Sequence, residues 1–69
     1  MKKLSSREIQ ILKYLVKGYT NIEIAENLSV SKDTVKAYLK QIYEKLEVSN
    51  RVCAAVKAIS LNIVITNEI

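Results

Sequence analysis

The sequence predicts an all-α domain of four helices. Proline is absent and glycine occurs once among the 69 residues, so little interrupts helix formation. Apolar residues recur at three- and four-residue intervals, and no segment shows the strict alternation that is typical of a strand. Capping residues divide the chain into helices at about residues 5–17, 21–28, 32–46 and 50–61.

The composition allows one small domain, residues 1–69, and excludes several classes of function. Eleven Lys and Arg against seven Asp and Glu give a net charge of +4, which suits a polyanionic partner. With no His and one Cys, we expect no His/Cys metal site, disulfide framework or cofactor, and an unpaired Cys53 fits a reducing cytoplasm. No apolar run is long enough to cross a membrane. Paired carboxylates and a Gly-rich phosphate loop are also missing, so we predict no catalytic residues and no enzyme.

The first two helices are each predicted to begin with a capping box. Glu8 follows Ser5 by three positions, and Glu23 follows Thr20 in the same way, so each hydroxyl and each carboxylate can bond an unpaired amide. Gly18 ends the first helix because glycine adopts a positive φ at little cost. The apolar face of the first helix consists of Ile11, Leu12, Leu15 and Val16.

The third and fourth helices follow short connections. Ser31 is the expected N-cap of the third helix. Residues 48–50 interrupt the helical pattern, and a fourth helix that is apolar nearly all round runs to about Leu61. Residues 63–69 are apolar and β-branched, which predicts either a strand-like tail or a frayed end. The apolar stripe of the third helix consists of Val35, Leu39, Ile42 and Leu46.

Residues 21–38 have the pattern of a helix-turn-helix, in which a short helix, a three-residue connection and a longer helix follow one another. Ala25 is small where the two helices must cross closely, and Val30 is an apolar residue within the connection. An ordinary αα-hairpin would need the same residues, and Ser29 stands where bacterial examples often have glycine. This pattern by itself therefore leaves both interpretations open.

The polar face of the third helix favours DNA binding. Lys can donate to guanine O6 and N7, and a small Ala can contact a thymine methyl group. A solvated charged face is the alternative, because Asp33 and Glu44 would repel phosphate. The row that we predict to face the bases occupies positions i, i+3, i+4 and i+7, and consists of Asp33, Lys36, Ala37 and Lys40.

The combination of motifs resembles the LuxR-type helix-turn-helix domain. The match runs without a gap from residue 4 to about residue 62. It implies a four-helix DNA-binding domain of bacterial transcription regulators, usually the C-terminal part of a protein with a receiver or an autoinducer-binding domain, although some members are little more than this domain. RNA polymerase is a possible further partner. The matching motifs are Leu4-Ser5-x-Arg7-Glu8, Gly18-Tyr19-Thr20-Asn21-x-Glu23-Ile24-Ala25, Val30-Ser31-x-x-Thr34-Val35-Lys36, and Lys45-Leu46-x-Val48 with Arg51.

The resemblance also implies which residues contact DNA. Carried over residue by residue, it implies that Lys36, Ala37 and Lys40 read bases in the major groove. The N-terminus of the second helix is expected to face the DNA backbone, whereas Glu8 is expected to act as a cap. The expected phosphate contacts are Thr20, Asn21, Lys32, Thr34, Tyr38, Lys45 and Arg51.

Four positions depart from the pattern of the family. Tyr38 replaces a usual His, and Ile22 replaces a common Lys or Arg, which removes one phosphate partner. Glu47 replaces a usual Gly, so we expect the third helix to close differently. Asn62 replaces another Gly, but it tolerates the left-handed conformation and can still cap the last helix.

The fourth helix predicts a homodimer. A domain this small cannot bury every face of an apolar terminal helix, and the family also dimerises through its last helix. We expect the interface to include Val52, Cys53 and Val56, and the dimer to bind an inverted repeat. Alanine is also simply a good helix former, so the apolar surface alone does not decide this point. The alternative function is a protein-interaction module that uses the same fold to bind another regulator.

Overall fold

The computed structural model describes residues 3–64, which form four helices. Helix α1 spans Ser6–Lys17, α2 spans Asn21–Leu28, α3 spans Lys32–Leu46 and α4 spans Arg51–Ser60. No strand occurs within residues 3–64. The all-α prediction is therefore confirmed, and each predicted helix end agrees with the structure to within one residue.

The N-termini of α1 and α2 are closed by the predicted capping boxes. The Oγ of Ser5 accepts a hydrogen bond from the Glu8 amide at 3.1 Å, and the Glu8 carboxylate accepts one from the Ser5 amide at 2.8 Å. Thr20 and Glu23 repeat this arrangement at the same two distances. Caps of this kind contribute about 1 kcal/mol each, so they fix where each helix begins.

The N-termini of α3 and α4 are closed by single side chains. The Ser31 hydroxyl accepts from the Thr34 amide at 3.1 Å, as the sequence predicts. The Asn50 side chain accepts from the Cys53 amide at 2.9 Å and so begins α4 directly after the α3–α4 turn. The short connections therefore end in defined helix starts, and neither adds a flexible linker.

Four residues that follow helices adopt the left-handed conformation. Gly18 has a φ of 90°, and Ser29, Glu47 and Asn62 have φ values of 56°, 59° and 58°. The Glu47 amide donates to the carbonyl of Glu44, and the next amide donates to that of Tyr43, as Gly18 and its successor do after α1. The expectation that α3 closes differently at Glu47 is therefore wrong, whereas the expected left-handed conformation of Asn62 is confirmed.

Helix α3 lies at the centre of the fold and packs against all three other helices. Its apolar stripe is buried along its whole length, from Val35 to Leu46. Val16 and Val30, which the sequence places among the apolar contacts, pack against the core but are only partly buried. The other buried apolar residues are Leu4, Ile11, Leu12, Leu15, Ile24, Ala25, Ala54, Ala58 and Val64.

The chain folds back after α4. The amides of Ile63 and Val64 both donate to the Ala58 carbonyl, at 2.9 and 3.3 Å. Val64 is 2% exposed, so it belongs to the core and forms neither a strand nor a frayed end. The rest of the tail for which that alternative was predicted, residues 65–69, lies outside the described residues.

We predict that Glu47→Gly stabilises the domain by up to about 1 kcal/mol, because a side chain with a Cβ atom is strained in the left-handed conformation. The melting temperature followed by circular dichroism should rise, by about 4–8 °C if the full 1 kcal/mol is gained. Gly18→Ala is the reverse test, since no atom lies within 4 Å of the added Cβ and any loss comes from the backbone alone. A melting temperature that is unchanged or lower in Glu47→Gly would contradict this account.

Candidate nucleic-acid interface

The exposed face of α3 carries the four residues that the sequence predicts as base contacts. All four are exposed, on the side of the helix away from the buried stripe. At about 1.5 Å of rise per residue, Lys36 and Lys40 are separated by roughly 6 Å along the helix axis, which is close to two base-pair steps of DNA. The structure therefore brings Asp33, Lys36, Ala37 and Lys40 onto one accessible surface.

The charges on this face of α3 nearly cancel. Asp33 and Glu44 lie at its two ends and enclose the two lysines between them. Within residues 3–64, neither Lys36 nor Lys40 forms an ion pair, so both ammonium groups are available to a ligand. A surface of this kind attracts phosphate only weakly, and its affinity must depend on directional contacts.

The N-terminus of α2 lies beside the same face of α3. The Thr20 hydroxyl accepts a hydrogen bond from the Glu23 amide, and its own hydrogen has no acceptor among residues 3–64, which leaves it free to donate. Asn21 is half-buried, and its Oδ1 accepts from Nη1 of Arg51 at 2.8 Å. Two of the predicted phosphate contacts thus lie at the start of a helix, where unpaired amides favour an anion.

A shallow cavity of about 360 Å³ joins α2, α3 and the α3–α4 turn. It brings Asn21 together with Lys36 and Lys40. The lining also includes Tyr43, three positions after Lys40, and Ser49 from the turn, neither of which the sequence assigns to DNA contacts. The lining residues are Asn21, Lys36, Leu39, Lys40, Tyr43, Glu44, Val48 and Ser49.

Three further predicted phosphate contacts lie on α3. Lys32 is exposed in the first turn. The Thr34 hydroxyl lies 2.9 Å from that of Ser31 and so takes part in the N-terminal cap. Tyr38 is half-buried and packs against the core. These positions do not test whether the three residues contact phosphate, so that role stays a prediction.

Lys45, another predicted phosphate contact, forms an ion pair with the buried Glu8. Its Nζ lies 2.7 Å from Oε1 of Glu8, whose side chain is 2% exposed, while the Lys45 side chain is 26% exposed. Burial raises the pKa of the Glu8 carboxyl, but hydrogen bonds from Lys45 and Ser5 and the Lys45 charge lower it by more, so the pKa lies below its ordinary value. The second oxygen, Oε2, is buried without a partner. Glu8 is thus a cap, as predicted, and also an ion-pair partner that the sequence did not reveal.

Arg51, the last predicted phosphate contact, is also bonded within the domain. It is half-buried at the first position of α4. Besides its bond to Asn21, the guanidinium donates through Nη2 to the Tyr19 carbonyl. The side chain therefore connects the start of α4 to the start of α2.

The predicted dimer residues form an exposed apolar patch on α4. Val52 and Val56 are 72% and 59% exposed, and Cys53 is an exposed free thiol. The inward side of the helix carries Ala54 and Ala58, both 0% exposed. A depression of about 450 Å³ crosses this patch and is lined by Val48, Val52, Cys53, Val56, Lys57, Ser60 and Leu61.

Helices α2 and α3 are joined by a three-residue connection, and α3 presents exposed lysines. Together they define a helix-turn-helix domain. None of the four helices within residues 3–64 is both long and apolar enough to cross a membrane. Residues 2–58 match the family model described as "Bacterial regulatory proteins, luxR family". The chain belongs to this family, and DNA binding is implied by that membership.

The relatives agree with this assignment. The chain is 42% identical over 62 residues to "Probable transcriptional regulatory protein SgaR" of Hyphomicrobium methylovorum, covering 90% of this chain and 29% of that protein. It is 41% identical over 66 residues to the quorum sensing-dependent transcriptional regulator VjbR of Brucella ovis, covering 96% and 26%. Since the family and these relatives are transcriptional regulators, the chain is a regulator domain and not an enzyme.

A solved structure shows the same fold. The crystal structure of the response regulator ChrA, from a heme-sensing two-component system, superimposes with a TM-score of 0.88 at 41% identity. The match covers 93% of this chain and 32% of that one. The chain thus spans less than a third of the length of each of these three proteins.

We predict that Lys45→Met destabilises the domain by about 3 kcal/mol, because it leaves the Glu8 carboxylate buried without its charged partner. The double variant Glu8→Gln/Lys45→Met should recover most of this loss, since glutamine can still complete the capping box. Urea unfolding at pH 7 measures both changes. Equal stability of Lys45→Met and the unsubstituted chain would show that the ion pair contributes nothing.

The same pair predicts a pH dependence of stability. Because the pKa of Glu8 is lower in the folded than in the unfolded chain, its contribution is fully present above the ordinary value of 4.5 and is lost as the pH falls through the folded value. Between pH 6 and pH 3 the unsubstituted chain should therefore lose more stability than the double variant. Parallel curves for the two proteins would contradict this prediction.

Proposed function

We propose that this domain binds double-stranded DNA by inserting α3 into the major groove, and that it regulates transcription as a dimer on an inverted repeat. The observation that carries the proposal is the exposed row on α3, where a small Ala37 lies between Lys36 and Lys40. A solvated charged face has no need of a small residue between two lysines. Close approach to base edges does, because a bulky side chain there would hold the helix away from the groove.

The contacts divide into base contacts and backbone contacts. Lys36 and Lys40 donate to guanine, Ala37 meets a thymine methyl group, and Asp33 lies at the end of the same row. The remaining contacts position the helix on the phosphates and carry no sequence information. We assign this role to Thr20, Asn21, Lys32, Thr34 and Tyr38, and at the edge to Lys45, which also pairs with Glu8. Arg51, the remaining phosphate contact that the resemblance implies, donates instead to Asn21 and Tyr19 within the domain.

The weak charge of the α3 face supports binding as a dimer. Because Asp33 and Glu44 offset the two lysines, one copy gains little from general attraction to phosphate. Two copies joined through the apolar patch of α4 would sum two modest affinities on half-sites about 34 Å apart. Val52, Cys53 and Val56 are the proposed centre of that contact.

The proposed setting is the cytoplasm of a bacterium, on the nucleoid while DNA is bound, with RNA polymerase as a further partner. A module that uses the same fold only to bind another regulator is the alternative. It would leave the exposed row on α3 without a function. Absence of binding to any DNA at low salt would favour that alternative.

We predict that Lys36→Ala weakens binding to the cognate site by about 1–3 kcal/mol and relaxes the base preference at one position. Lys13→Ala is the matched control, because Lys13 is an exposed lysine on α1 and does not belong to the α3 row. Sites selected from random DNA, followed by fluorescence anisotropy titrations, measure both effects. If the control weakened binding as much as Lys36→Ala does, the loss would reflect charge alone and not base recognition.

We predict that Val52→Asp lowers affinity for the full inverted repeat by at least about 100-fold, with little change at an isolated half-site. The side chain is 72% exposed in the monomer, so the substitution should leave the fold intact. Gln10→Asp places the same charge on an exposed position of α1 and serves as the control. An unsubstituted chain that binds a half-site as tightly as the full site would overturn the dimer proposal.

A further inference from the structure

We propose that Arg51 is a positioning residue, which holds the N-terminus of α2 in the orientation that meets a DNA phosphate, and is not itself a phosphate contact. This inference rests on the proposed function. It departs from the role that the sequence predicts for Arg51. The two roles require different geometry, because a phosphate contact needs a guanidinium edge turned to solvent, whereas a positioning residue needs partners within the domain.

The guanidinium has its partners within the domain. Nη1 donates to Oδ1 of Asn21 at 2.8 Å, and Nη2 donates to the carbonyl of Tyr19. These are two terminal nitrogens of one planar group, used together on acceptors two residues apart in the chain. The residue is half-buried in this arrangement, and two of its five N–H donors are used within the domain.

This contact joins two helices that otherwise have little to hold them together. Helix α2 packs mainly against α3, and α4 packs against α1 and α3. Within residues 3–64, three side-chain hydrogen bonds join residues far apart in sequence. Two of them come from Arg51, and the third is the bond between Lys45 and Glu8. Arg51 is therefore the polar connection between the start of α4 and the start of α2.

The bond to Asn21 decides which end of the Asn21 amide points outward. Arginine can only donate, so the atom that faces it must be the carbonyl oxygen. The Nδ2 group has no acceptor among residues 3–64 and can therefore donate to a ligand. Asn21 also lines the cavity that contains Lys36 and Lys40. Arg51 thus fixes the amide of a residue that lines the same cavity as the two lysines that we assign to base contacts.

The bond to Tyr19 fixes the segment that precedes α2. Tyr19 follows the left-handed Gly18, and its ring lies 5.1 Å from that of Tyr14, measured between centroids. Its carbonyl belongs to the peptide that continues into Thr20, the N-cap of α2. Holding this carbonyl therefore sets the direction in which α2 begins and in which its unpaired amides point.

The test compares charge with geometry at position 51. Arg51→Lys keeps the positive charge but removes the planar fork whose two terminal nitrogens bond the two acceptors, and Arg51→Met removes the charge as well. Affinity of the full chain for a site selected with the unsubstituted chain is measured over a range of salt concentrations. Lys13→Met, which removes a charge without a bond to α2, is the control. Thermal unfolding confirms that each variant is folded at the temperature of the titration.

If Arg51 is a positioning residue, Arg51→Lys and Arg51→Met should both lower affinity by about tenfold or more, as expected for the loss of a hydrogen bond to a charged group. The slope of log affinity against log salt should remain unchanged. Asn21→Ala should cause a similar loss, and Arg51→Met should add little to it in the double variant. If Arg51→Met does not fold, the cycle of Arg51→Lys with Asn21→Ala makes the same comparison.

Three results would overturn the inference: Arg51→Lys binding as well as the unsubstituted chain, a salt slope lowered by about 0.9 in Arg51→Met, or additive losses in the double variant. The lowered salt slope would show a direct phosphate contact, and the other two results would show that Arg51 does not act through Asn21. They are distinct from failure of the proposed function, in which the unsubstituted chain binds no DNA even at low salt.

Discussion

The structure depends on burying one side of α3 in the core while the opposite side stays exposed to solvent. The buried side consists of four residues that are each at most 5% exposed: Val35, Leu39, Ile42 and Leu46. Full burial of an aliphatic side chain of this size contributes about 1.5–3 kcal/mol, so this stripe is a large part of the core of a small domain. Because α1, α2 and α4 all pack on or around it, the exposure of the other face follows from the same packing.

Local features of the fold could be predicted from the sequence because their partners are close in the chain. A capping box such as Ser5 with Glu8 spans three positions, and the periodicity that identifies the α3 stripe spans three or four. The exposed row of α3 follows from the same periodicity once the buried side is known. Gly18 could be predicted as the end of α1 for a similar reason, because glycine adopts a positive φ whatever its distant neighbours are.

Contacts between distant residues could not be predicted. Glu8 and Lys45 are 37 positions apart, and Asn21 and Arg51 are 30 apart, so no local pattern connects them. Resemblance alone assigned Lys45 and Arg51 to phosphate, whereas the structure shows that each already has a partner within the domain. The left-handed Glu47 was missed because a preference for glycine there is statistical, and tertiary packing outweighs a strain of about 1 kcal/mol.

The start of α4 connects the two surfaces of the proposed function. Arg51 points inward to the beginning of α2, and the next residue, Val52, is the most exposed member of the apolar patch. One turn of helix thus bears both the contact that orients Asn21 and the contact that a second copy would cover. A change in how two copies meet would move Arg51 together with Val52, because neighbouring residues of a helix move as one body. On the proposed function, the surface that pairs two copies and the contact that orients Asn21 therefore lie on the same helical turn.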